Sequence, residues 1–121
     1  MAKVVLDTDV LIDHLGGKSS LSAVFSGSSY SVVSRAELYS WTQADEAIID
    51  RLLEQFEEVP VNRVVAEEAG RIRRESGLRL PDALIAATAL HAKRPLFTRN
   101  LRDFRKVKRL RLHLSGNRPT K

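Results

Sequence analysis

The chain has 121 residues, 43% of them hydrophobic and none of them cysteine. That suits one domain with a modest core, and it excludes a disulfide scaffold or a thiolate zinc site. No apolar run approaches the roughly 20 residues that span a bilayer, and Val4-Val5-Leu6 soon meets Asp7 and Asp9, unlike the longer acid-free core of a secretory signal. The expectation is a cytoplasmic protein with no membrane partner. The formal charge of +5 is unevenly spread: residues 1–91 hold 9 Lys and Arg against 14 Asp and Glu, whereas residues 92–121 hold 11 against 1. Two readings fit that basic quarter, a phosphate-bearing partner or a solvated tail.

Lys3 to Leu6 is short, apolar and β-branched, and reads as a buried strand. Thr8, Leu11, Ile12 and Leu15 follow as a short helix with a glycine stop at Gly16-Gly17. Lys18 to Ser29 is Ser/Gly-rich and reads as a loop around one helical turn at Leu21 to Phe25. Tyr30 to Val33 is predicted as the second strand. Ser34 and Glu37 have the spacing of a capping box, which predicts a helix opening at Ser34 and running through Leu38 and Trp41.

Ile49, Leu52, Leu53 and Phe56 share one face of an amphipathic helix, and Glu58 to Val61 is a candidate short strand. Asn62 is placed to cap a helix with Val65, Ala69 and Ile72 inside, ending at Gly77. Pro81 suits the first turn of another, Asp82 to Lys93, which is apolar nearly all round and therefore buried. Pro95 to Thr98 reads as a strand, Leu110 to Leu114 as a candidate last one, and residues 116–121 as a flexible tail beyond a single domain of residues 1–115. Strands separated by helices predict an α/β sandwich, with a central, mainly parallel sheet flanked by helices.

In such sheets ligands bind beyond the carboxyl ends of the strands. Asp7 closes the first strand, Glu37 lies one helical turn past the second, and Asp103 follows the last of the well-marked strands; Asp82 enters on the first turn of the buried helix. Each has a structural reading too. Glu37 can serve the capping box, Asp82 and Asp9 can complement helix N-termini, and Asp103 can be an exposed charge among arginines. Four carboxylates gathered at one sheet end, however, repel one another unless a cation lies among them. All-oxygen ligands select hard ions such as Mg²⁺ and Mn²⁺, which activate water for phosphodiester hydrolysis. The histidines His14, His91 and His113 have no spacing that suggests a shared ligand set, and read as surface or helix residues.

The segments Val5-Leu-Asp-Thr-Asp-Val-Leu-Ile-Asp-His14, Ser34-Arg-Ala-Glu-Leu38, Leu80-Pro-Asp-Ala-Leu-Ile-Ala-Ala-Thr-Ala89 and Phe97-Thr-Arg-Asn-Leu-Arg-Asp-Phe104 resemble, in order, the motifs of PIN-domain proteins and among them the VapC-type toxins. The resemblance implies a PIN-like α/β/α sandwich and an endoribonuclease dependent on Mg²⁺ or Mn²⁺. It also implies inhibition by a VapB-type antitoxin, and a homodimer. Carried over by residue, Asp7, Glu37 and Asp82 are the core acids and Asp103 the fourth; all four are expected at the metal. Thr98 and Asn100 are expected to orient water, metal or phosphate, and Asp9 to stand one step behind the ligands. Arg99, Arg102, Arg105, Lys106, Lys108 and Arg109, which surround Asp103, are candidates to hold the RNA backbone. The alternatives are a PIN nuclease that processes RNA without an antitoxin, and a PIN module that binds nucleic acid or protein without cutting.

Overall fold

A computed structural model describes residues 3–15 and 25–114. In chain order its elements are β1 (Val5–Leu6), α1 (Thr8–Leu15), β2 (Ser29–Ser31), α2 (Val32–Tyr39), α3 (Glu46–Leu53), β3 (Glu57–Val59), α4 (Arg63–Ser76), α5 (Leu80–Ala92), β4 (Leu96–Phe97) and α6 (Leu101–Phe104). The four strands form one parallel sheet in the order β3-β2-β1-β4. Val5 faces Ser29 on one side and Leu96 on the other, so β1 lies at the centre.

Both sheet faces are covered, which explains why Val4-Val5-Leu6 is apolar without alternation. Val5 and Leu96 point into a core with Val65, Ala69 and Ile72 of α4, Ile85 and Ala86 of α5, and Phe104. Val4 and Leu6 point the other way, onto Leu11 of α1, Leu38 of α2, Ile49 and Leu53 of α3, Phe25 and Tyr30. Helix α5 is the buried helix foreseen: Ala83, Ile85, Ala86, Ala87 and Ala89 are almost fully enclosed. The small alanines let it lie close to the sheet and to α4.

The helix ends follow their caps. The Asn62 side chain accepts the Val65 N–H at 2.9 Å, as its position predicted. Gly77 closes α4 at φ 78°, a left-handed conformation that only glycine adopts without strain.

Several boundaries differ from expectation. Strand β2 covers Ser29–Ser31, not Tyr30 to Val33, because the Ser31 hydroxyl accepts the Val33 N–H at 3.0 Å and starts the helix at Val32. Ser29 thus belongs to the sheet and not to the loop before it, and Ser34 lies inside α2, so the capping box with Glu37 does not form. Helix α2 stops at Tyr39, before Trp41, where the Ser40 hydroxyl donates to the Glu37 carbonyl. Strand β3 is Glu57–Val59, an edge strand with Glu57 and Glu58 exposed, a usual guard against edge-to-edge pairing. Leu110 to Leu114 forms no strand; Leu112 makes a single parallel bridge to Leu96. The expected glycine stop at Gly16-Gly17, nearly all of the expected turn at Leu21 to Phe25, and residues 116–121 lie outside the described residues.

Candidate active site

The chain leaves central β1 toward β2 on one side and returns as β4 on the other, which opens a crevice at the carboxyl ends of β1 and β4. Asp7 stands at that point, its N–H bonded to the Phe97 carbonyl at 2.9 Å. Its carboxylate is held on both oxygens: Oδ1 accepts the Thr8 N–H at 2.8 Å and Oδ2 accepts the Thr98 hydroxyl at 2.7 Å. Asp7 is only 5% exposed. Burial, with the nearby charge of Asp9, pushes its pKa up to about 7 against the two hydrogen bonds, and Asp82 adds to the rise.

The neighbouring acids reach the same cleft from three elements. A cleft of about 360 Å³ is lined by Asp7, Thr8 and Asp9 of the β1–α1 segment, Glu37 of α2, Asp82 of α5 and Asn100, with Trp41 and Arg79 among its wall residues. Glu37 projects from the middle of α2 and accepts a hydrogen bond from the Thr8 hydroxyl. Asp82, in the first turn of α5, has the Arg79 guanidinium 3.5 Å away. Asp9 accepts the Arg99 N–H at 3.1 Å and lies 3.4 Å from the Thr98 hydroxyl. Burial raises its pKa, and the Arg99 N–H and guanidinium oppose that rise. Asp9 therefore ties α1 to the turn after β4 that presents Thr98.

Asp103 is placed differently. It does not line the cleft but accepts the Asn100 side-chain N–H at 3.0 Å, so it touches the cleft through Asn100. That hydrogen bond, with the positive charges of Lys106, Arg102 and Arg79, holds its carboxyl below the ordinary value. Thr98 is fully buried; its oxygen accepts the Asn100 N–H at 2.9 Å while its proton goes to Asp7. Thr8, Ser34, Trp41 and Arg79 were not foreseen from the sequence. Thr8 stands next to Asp7 in the same motif, and the spacing of Ser34 from Glu37 points to a cap instead; Trp41 and Arg79 belong to no motif that would place them at the cleft.

The PIN-domain family model matches residues 4–110. This chain belongs to the PIN-domain family. Among solved structures, this PIN domain is similar to a toxin-antitoxin complex from Klebsiella pneumoniae, with 29% identity over 89% of this chain and 95% of that one, at a TM-score of 0.77. It is also similar to VapBC-5 from Mycobacterium tuberculosis, of the VapBC family of toxin-antitoxin systems, with 29% identity over 89% and 92% at a TM-score of 0.62. A DNA-bound VapBC from Salmonella typhimurium shares the fold at 22% identity over 93% and 98%, with a TM-score of 0.80. Comparison with curated protein sequences gave no match.

A divalent cation is expected of a PIN domain, and the donor set bears on the fit. Every acidic side chain in the cleft offers oxygen, the ligand of hard cations. Among the described residues no three His, Asp or Glu side chains come together closely enough to hold one ion by themselves. Mg²⁺ does not require that, since it keeps several waters and takes one or two carboxylates directly. A buried Asp7 whose charge is so poorly compensated suits such a neighbour, and no membrane-crossing helix occurs among the described residues.

The basic residues divide into two groups. Arg99 is paired with Asp13 at 2.8 Å, Arg109 is paired with Glu68 and bonds it directly, and Lys106 stands 3.9 Å from Asp103. Arg102, Arg105 and Lys108 are exposed and form no ion pair with any described residue.

Proposed function

We propose that this PIN domain is an endoribonuclease dependent on Mg²⁺ or Mn²⁺ that acts as the toxin of a toxin-antitoxin pair. The observation that carries the reading is the cleft itself: a buried Asp7, fixed on both carboxylate oxygens, shares it with Glu37 and Asp82 at the crossover point of a parallel sheet. The likeness to a toxin-antitoxin complex at 29% identity over most of both chains supports the biological role.

Asp7, Glu37 and Asp82 would hold the cation, one or two of them directly and the rest through its waters, with Asp103 acting through Asn100. When bound, that cation supplies activation of water and stabilisation of charge on the phosphodiester oxygens. Thr98 keeps Asp7 in place, Asn100 offers a polar side chain at the cleft, and Asp9 braces the turn that carries both. Arg102, Arg105 and Lys108 are free to contact RNA phosphates. A VapB-type antitoxin would inhibit by placing an arginine against these carboxylates, since a guanidinium forks onto two oxygens and competes for the same charge. The homodimer is part of the same proposal.

The test incubates the purified protein with total RNA in EDTA and in Mn²⁺. Cleavage in Mn²⁺ alone, lost in Asp7→Asn, supports the reading. Intact RNA under both conditions leaves a binding module; cleavage by Asp7→Asn at the wild-type rate removes the site assigned here.

A further inference from the structure

Thr8 links two of the carboxylates that line the cleft, Asp7 and Glu37. Its N–H donates to Asp7 Oδ1 at 2.8 Å, and its hydroxyl reaches across to Glu37 Oε1 on α2 and to the Ser34 hydroxyl at 2.7 Å. A hydroxyl has one proton, and an ionised carboxylate can only accept. The Thr8 proton therefore points at Glu37, and Ser34 must give its own proton to Thr8. Ser34 is fully buried and Thr8 nearly so, at 0% and 8% exposed, which leaves little access for water to take either part.

Ser34 also differs from two other hydroxyls inside helices. Ser76 and Thr88 donate to the carbonyls four residues back, Ile72 and Leu84, as helical hydroxyls usually do. Ser34 instead turns to Thr8, and it sits one helical turn before Glu37 on the same face of α2. Glu37 Oε2 makes no hydrogen bond with any described residue.

We propose that Thr8 is a positioning residue for Glu37, acting through a one-way hydrogen-bond chain from Ser34 to Thr8 to Glu37 that fixes one carboxylate oxygen and leaves the other for the cation. The proposal rests on the reading of Glu37 as a cation-holding carboxylate. Partners that orient a ligand side chain in this way are commonly worth about 10- to 100-fold in metal affinity.

The test measures Mn²⁺ binding alone, by the loss of the free-ion electron paramagnetic resonance signal, on full-length protein shown to be folded by circular dichroism. Thr8→Val keeps the shape and removes the hydroxyl; it should weaken Mn²⁺ binding by about 10- to 100-fold. Thr8→Ser should restore most of the affinity, and Ser34→Ala should lose less than Thr8→Val because Thr8 can still donate. In a Glu37→Ala background, Thr8→Val should add nothing, since the two act as one unit. Wild-type Mn²⁺ affinity in Thr8→Val, or a loss that persists undiminished without Glu37, overturns the chain. Wild-type affinity in Glu37→Ala overturns the role of Glu37 as well, so the two failures are distinguishable.

Discussion

Asp7 shows how one residue can favour a site over stability. Its pKa is raised by burial from an ordinary 3.8 to about 7. A carboxyl raised on folding is protonated more readily in the folded state, so it costs no stability below pH 3.8 and an increasing amount as pH climbs toward 7. Above that the penalty is complete, up to roughly 4 kcal/mol. Asp7→Asn removes the charge and keeps the shape. The amide oxygen still accepts the Thr8 N–H, and Thr98 can rotate its hydroxyl to accept the new N–H. Metal-free melts should therefore show Asp7→Asn more stable than wild type at pH 8, with the gap shrinking toward pH 5. An equal or lower melting temperature at pH 8 would mean that Asp7 is not strained as its burial implies. Mn²⁺ should raise the melting temperature of the wild type and not of the variant, because a ligand protects a fold only through its native-state site.

Among the elements, α2 decides between two readings of the same sequence. Ser34 and Glu37 have capping-box spacing, yet the helix is capped by Ser31, three residues earlier. Removing the Ser31 hydroxyl should cost about 1 kcal/mol, the usual value of an N-cap. Urea unfolding of Ser31→Ala beside the wild type in EDTA checks this; wild-type stability in Ser31→Ala would mean that the helix does not depend on a cap at Ser31.

The reason the sequence misled here is physical. Val32-Val33 is β-branched and extends an apolar stretch that reads as strand, but a cap at Ser31 and the packing of Val33 against the core shared by α4 and α5 outweigh that local preference. Asn62, Gly77 and Pro81 were legible because each has one dominant conformational use at a helix end. The edge strand Glu57–Val59 was less so, since its exposed acids show no apolar alternation. At the site, Asp7, Glu37 and Asp82 could be read from their places after strands or at a helix start, whereas the Thr8–Ser34 contact joins residues 26 apart and follows no local pattern.

At the scale of the whole molecule, charge is unevenly divided along the chain: residues 92–121 hold 11 Lys and Arg against one acid, and of the described part of that segment Asn100 lines the acidic cleft. The ion pairs sort that segment by availability. Arg109 is held by Glu68 of α4 and Arg99 by Asp13 of α1, so both have structural work within the chain. Arg102, Arg105 and Lys108 have no such partner among the described residues. If they hold the RNA backbone, each lost contact should reduce the slope of log affinity against log salt by about 0.7, the single-strand value. Arg102→Gln combined with Lys108→Gln should lower the slope by about twice that and weaken binding to all single-stranded RNA sequences alike. Arg109→Gln should leave the slope nearly unchanged, because its charge is already matched by Glu68. Fluorescence anisotropy of a labelled single strand in EDTA, where cleavage is absent, measures these slopes over a range of salt. An unchanged slope in the double variant would make the basic segment a solvated surface, and a large fall in Arg109→Gln would move the RNA path across the α4 face instead.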